Sequence, residues 1–333
     1  SPGREIEVMT PKTAGEVLYN DILTLPVVAQ DHLGLKETLK RVTSVYEVTD
    51  LLTDVLANDE VRRKFIRTLI QIDDEPELEG ELMELTPAEL TKAVVEGVPE
   101  PKTSLTRYLS GRTYAIPPLP NLYFMRDSAI VFRNKVITGS MANSVRANEA
   151  IIAKYIYTYH AEVRGDGFLF DGSMEGNASV TIEGGDFLVI SRNVAAVGIS
   201  ERTTPQSIDI FLSRLREELT EPFHLFAVVL PRERATIHLD MVFTMVDKDQ
   251  CVIHYPYILG KERLQVIHLT VEPNRKTRMV EEDNLIAGLA NIGIKLNPIF
   301  CGGRDPIDQE REQWLSGTNF FAFGPGKILG YGC

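Results

Sequence analysis

The chain has 333 residues, 44% of them hydrophobic, and a formal net charge of −12 at pH 7. That length and apolar share can bury a large core in one or two domains, while the acidic balance argues against a general nucleic-acid binder, which needs surplus Lys and Arg. No apolar run is long enough to read as a membrane span, and Ser1-Pro2-Gly3-Arg4-Glu5 lacks the basic and apolar stretches of a signal peptide.

The first predicted elements are a helix near 28–41 and a strand at 44–48, with no complete hairpin before them. Residues 51–72 read as one helix, Thr86-Pro87-Ala88-Glu89 as a capping-box start, and 105–109 as a further helix. Pro99 and Pro101 interrupt this stretch and Pro117-Pro118-Leu119-Pro120 marks its exit. Residues 50–112 are therefore assigned to an all-helical insertion domain.

From Ser128 the chain repeats a strand–strand–helix–strand order. Residues 129–132 and 136–138 form a predicted hairpin turning at Asn134-Lys135, followed by a helix over 143–158 and a strand at 168–170. The second unit has strands at 187–190 and 195–199 around Arg192-Asn193. Its helix starts at Thr204-Pro205, with Ile208, Phe211, Leu212 and Leu215 on one face, and a strand at 226–230 closes it. The third has strands at 242–246 and 251–253, a helix near 279–291 and a strand at 294–296. The fourth offers strands at 320–323 and 328–329 around Gly324-Pro325-Gly326. The repeat is one of topology, since the spacing between units is not constant. The expected fold is α/β, a ring of such units over 1–49 and 113–333 with the last unit incomplete.

Three polar segments stand just before the first strand of successive hairpins: Phe124-Met125-Arg126-Asp127, Glu183-Gly184-Gly185-Asp186 and His238-Leu239-Asp240. In a closed ring that common position would gather Asp127, Glu183, Asp186, His238 and Asp240. Carboxylates brought together raise one another's pKa and need a cation or a shared proton. A guanidinium, a planar fork of N–H donors, meets that need bidentately. Singly, each segment also fits a plainer role: a Gly-Gly turn before a strand, a surface ion pair at Arg126-Asp127, a structural histidine. Metal chemistry is weakly supported, because His238 and Asp240 are two residues apart and no Cys/His cluster has zinc spacing. With three cysteines, no C-x-x-C and no secretion signal, a reducing cytoplasm is the expected compartment.

Together with these segments, Pro120-Asn121-Leu122-Tyr123, Gly198-Ile199-Ser200-Glu201-Arg202-Thr203 and Val242-Phe243-Thr244-Met245-Val246-Asp247 closely resemble the signatures of arginine deiminases, in order and over nearly the whole chain. The resemblance implies the five-bladed α/β propeller (pentein) of guanidine-modifying enzymes with a helical insertion. It also implies cytoplasmic hydrolysis of L-arginine to citrulline and ammonia, in arginine catabolism, through a covalent amidino-cysteine. Asp127 and Asp240 would bind the guanidinium, and Glu183 and His238 would move protons. Arg146 and Arg202 match residues that grip the substrate carboxylate. Asn121 and Phe124 match pocket positions, with Asp186 supporting Arg or backbone groups nearby. L-Arginine is the implied partner, with no cofactor, metal, nucleic acid or membrane, and a homo-oligomer is left open. An amidinotransferase of the same fold and a non-catalytic arginine-binding protein stand as alternatives.

The departure lies in the nucleophile. The family's cysteine sits in a Gly/Arg-rich loop near the C-terminus, and no such loop occurs here. Cys251 falls inside a hairpin, Cys301 between a strand and a helix, and Cys333 after the second strand of its hairpin, out of phase with the other segments. Cys333 is the weaker alternative. The nucleophile is expected beyond residue 333, in a chain truncated at its C-terminus.

Overall fold

The computed structural model describes residues 1–175, 177, 179–273 and 275–330, and the chain divides into two compact units. The first comprises Ser1–Ala129 and Asn143–Gly167 and is mainly helical. The second comprises Ile130–Ala142 and Phe168–Cys333 and holds most of the strands. Among the described residues no helix is long and apolar enough to cross a membrane.

In the first unit, the expected helix over 51–72 is two, Val48–Leu56 and Asp59–Asp73. Asn58 divides them, because its side chain accepts from Glu60 N at 3.0 Å and Val61 N at 3.2 Å and so caps the second helix. The capping box at Thr86 is present, opening the helix Pro87–Glu96. Residues 44–48 are not a strand. Glu47 is extended, but its carboxylate accepts from Lys36 Nζ at 2.5 Å, and Val48 already begins a helix. Phe65, Ile66 and Leu69 of Asp59–Asp73 share one core with Ile151, Ile152 and Tyr155 of the helix Ala147–Tyr159. The Phe65 and Tyr155 rings meet edge to face at 5.1 Å.

The second unit builds one motif three times: an antiparallel hairpin, an excursion, then a strand parallel to the second hairpin strand. Lys135–Thr138 takes Phe168–Asp171 in this way, Val194–Ile199 takes Phe223–Val229, and Gln250–Ile253 takes Asn297–Phe300. Phe321–Gly324 and Lys327–Leu329 form a further hairpin. The first hairpin turns at Arg133 (φ 51°) and Asn134 (φ 66°), one residue earlier than expected, because a two-residue turn of this hand needs positive φ at both positions.

Two elements of the third motif differ from expectation. The strand Arg278–Glu282 replaces the start of the expected helix. It pairs antiparallel with Val266–Val271, which pairs in turn with Phe223–Val229, giving a five-stranded sheet. The helix runs only from Leu285 to Asn291, since Asn284 caps it through Ala287 N at 2.9 Å. Residues 294–296 close that helix, with Ile294 N on Leu289 O at 2.9 Å and Gly293 at φ 91°, so the strand begins at Asn297.

Val194–Ile199 and Phe223–Val229 are buried on both faces, which is why they read as unbroken apolar runs. Ala195, Val197, Leu225 and Ala227 enter one core, while Ala196, Phe226 and Val228 enter the other. The helix Pro205–Glu218 inserts Phe211 among Phe132, Phe187 and Phe223, with ring centroids 5.3 to 6.5 Å from its own. Phe211→Ala is expected to destabilise the protein by about 3–5 kcal/mol in urea denaturation, through lost burial and a residual cavity.

Candidate active site

All three polar segments fold alike. Each makes a single helical turn, Met125–Ser128, Gly184–Asp186 or Leu239–Met241, and a hairpin strand begins one or two residues later. Phe124, Glu183 and His238 hold the position before each turn.

In the first unit, Asp127 is buried and its Oδ2 accepts from Arg146 Nη1 at 2.9 Å. Arg146, 3% exposed, also donates through Nε and Nη2 to the buried Glu149, at 3.1 and 2.8 Å. The predicted carboxylate-gripping arginine thus sits between two carboxylates. Glu149 escaped the sequence reading, although an Arg and a Glu three residues apart at a helix start was its visible signal. Asn121 is buried and donates Nδ2 to Val17 O at 2.9 Å. Phe124 is 45% exposed, with its ring 4.3 Å from that of Tyr123.

In the second unit, Glu183 is fully buried. Its Oε1 accepts from Ala142 N at 3.1 Å, and its Oε2 faces His238 Nε2 at 3.1 Å and Arg202 Nη1 at 3.4 Å. Arg202 Nε reaches Glu201 Oε1 at 3.3 Å. Among the described residues neither contact uses Nη2. His238 and Asp240 are each 6% exposed, and Thr318 Oγ1 donates to Asp240 O at 3.2 Å.

Asp186 has no exposed surface. Its Oδ1 accepts from Leu239 N at 3.0 Å and its Oδ2 from Ser200 Oγ at 2.7 Å. Burial pushes its carboxyl up to about 7, against the opposing pull of His238, Ser200, Thr203 and Leu239 N. Ser200 and Thr203 are further residues that sequence reasoning gave no role, though they stand inside the quoted Arg202 segment.

Cys251 is fully buried in its strand, and burial pushes its thiol up to about 12, so almost no thiolate forms at neutral pH. Cys301 is 5% exposed beside Val246, Val252 and Phe320. Cys333 lies outside the described residues.

The arginine deiminase family model matches residues 15–332. The chain belongs to the arginine deiminase family. An arginine deiminase of Streptococcus agalactiae serotype V is 33% identical over 354 residues, covering 99% of this chain and 84% of the relative. That of Streptococcus uberis is 34% identical over 355 residues with the same coverage. Among solved structures, DDAH from Pseudomonas aeruginosa complexed with citrulline is similar at 14% identity. It covers 65% of this chain and 91% of that one with a TM-score of 0.32, too low to carry an argument.

Two expectations follow from the second unit. A carboxyl with a folded pKa near 7 and an unfolded one near 4 binds more protons folded than unfolded between those values. Stability should therefore fall as pH rises from about 4 to about 7. Asp186→Asn should remove that slope: in urea denaturation the native protein should be less stable at pH 8 than at pH 5 by a few kcal/mol, as an order of magnitude, and the variant should not. At Gly185, an added Cβ would lie 2.4 Å from His238 Nδ1. Gly185→Ala should push the imidazole off Glu183, read in its ¹⁵N shifts, and destabilise by about 1–3 kcal/mol.

Proposed function

We propose that the protein hydrolyses L-arginine to L-citrulline and ammonia through a covalent amidino-cysteine intermediate, on a five-bladed α/β propeller. The observation that carries this is the buried trio of Glu183, His238 and Arg202, meeting at one carboxylate oxygen in a chain of the arginine deiminase family. The repeated hairpin-plus-parallel-strand motif supports the propeller.

In this mechanism Asp127 and Asp240 accept hydrogen bonds from the substrate guanidinium and fix its carbon for attack. A cysteine thiolate adds to that carbon, giving a tetrahedral centre. One C–N bond then breaks as His238 delivers a proton to the departing nitrogen, which leaves as ammonia. His238 next takes a proton from water, whose oxygen adds to the same carbon. The C–S bond breaks, the thiolate is restored, the oxygen's remaining proton passes to solvent as the carbonyl forms, and citrulline is released. Glu183 orients the imidazole. Cys251, fully buried and with its thiol pushed up, is not assigned as the nucleophile. Cys301, packed in an apolar cluster, is assigned no catalytic role.

Arg146 and Arg202 are assigned to the substrate α-carboxylate, with Asn121 and Phe124 as pocket residues. Arg146 now supplies the cation that Asp127 requires. Arg202 offers Nη2 while Nε and Nη1 stay on Glu201 and Glu183.

L-Arginine is expected to give equimolar citrulline and ammonia, measured by colorimetric and coupled assays. Agmatine, which lacks the carboxylate, should have a kcat/KM at least about 100-fold lower, because it leaves buried arginine donors without a partner. Equal rates on the two substrates would remove the carboxylate clamp. Transfer of the amidino group to an added amine, without citrulline, would point to an amidinotransferase instead.

A further inference from the structure

We infer that Ser200 is a positioning residue that sets the preference for a substrate carrying an α-carboxylate, by holding the turn from which Arg202 projects. The inference rests on the arginine-hydrolysis reading and on the assignment of Arg202 to that carboxylate.

Ser200 Oγ makes three hydrogen bonds. It accepts from Arg202 N at 2.9 Å and Thr203 N at 3.2 Å, and it donates to Asp186 Oδ2 at 2.7 Å. A hydroxyl has one proton and two lone pairs, so this one is fully used. Ser200 N also donates to Thr203 O at 3.1 Å, closing the turn on its backbone side. The far side of the strut cannot yield, because Asp186 is fully buried and its other oxygen holds Leu239 N. Gly198 lies so close that a Cβ there would stand 2.1 Å from Asp186 Oδ1.

The guanidinium of Arg202 is thus fixed at both ends. Its head rests on Glu183 and Glu201, and its backbone is pinned through Ser200 to Asp186. Removing the hydroxyl would leave two backbone N–H groups and a buried carboxylate oxygen short of a partner, a larger loss than one ordinary hydrogen bond. The turn would relax, and a clamp misplaced by about 1 Å can lose up to about 100-fold in rate. That loss falls on the part of the substrate that Arg202 meets. The guanidino end, common to arginine and agmatine, is handled by other groups. The signature is therefore a change in the ratio of the two substrates, with KM for arginine moving more than kcat.

The test is steady-state kinetics of the native enzyme, Ser200→Ala and Ser200→Thr on L-arginine and agmatine. Ser200→Ala should lower the arginine-to-agmatine ratio of kcat/KM about tenfold or more, chiefly through the KM for arginine. Ser200→Thr keeps the hydroxyl and should restore the ratio. Should Ser200→Ala not fold, Ser200→Cys keeps the volume while weakening all three bonds and should move the ratio in the same direction. An unchanged ratio, or equal losses on both substrates, would overturn the inference while leaving arginine hydrolysis intact. Absence of citrulline release by the native enzyme would overturn the functional reading itself, and this inference with it.

Discussion

A carboxylate withdrawn from water must be given donors or a cation, and that requirement organises the second unit around Glu183. Left alone there it would neutralise by taking a proton. Instead a backbone N–H, an imidazole and a guanidinium converge on it. Each donor comes from a different stretch of chain, so the carboxylate fixes three segments at once. The imidazole of His238 and the guanidinium of Arg202 are positioned by the same bonds that make burial of Glu183 tolerable.

Asp127 and Asp186 show how one local structure serves two ends. Both close the single helical turn that precedes a hairpin, with N–H groups on Phe124 O and Glu183 O respectively. Asp127 takes the guanidinium of Arg146 as its partner. Asp186 takes hydroxyls and a backbone N–H, and burial outweighs these and the pull of His238, so its carboxyl rises to about 7. The difference lies in what the neighbouring chain supplies. The aspartate facing an arginine is held by a side chain, whereas Asp186 ties two stretches of backbone together.

Much of this was legible in the chain because apolar periodicity and turn chemistry agreed. The hairpins at 187–199 and 321–329, the Thr204-Pro205 helix start and the Thr86 capping box are local signals, and each produced its element. The misses came from competition between local signals and partners distant in sequence. Residues 278–282 carry no strong strand pattern and become a strand only because Val266–Val271 offers an open edge. Residues 44–48 carry a strand-like pattern, yet a helix takes over at Val48 and the side chain of Glu47 is committed to Lys36. In the site, the phase of the polar segments pointed to Asp127, Glu183, Asp186, His238 and Asp240, and within the second unit Glu183 meets His238 while Asp186 meets Leu239 N. The supporting residues Glu149, Ser200 and Thr203 are common types whose roles depend on their three-dimensional neighbours.

The glycines of Glu183-Gly184-Gly185-Asp186 sharpen the point. A glycine pair before a strand usually signals a turn that needs positive φ. Neither Gly184 nor Gly185 has positive φ here, so conformational freedom does not explain them. Space explains Gly185: a side chain would drive a carbon to within 2.6 Å of His238 Cγ. Gly198 obeys the same logic against Asp186. The close approach lets the imidazole lie over the turn while Nε2 reaches Glu183 and Leu239 N reaches Asp186. The two acidic residues therefore require the glycine between them. A larger residue would separate the histidine segment from both carboxylates at once.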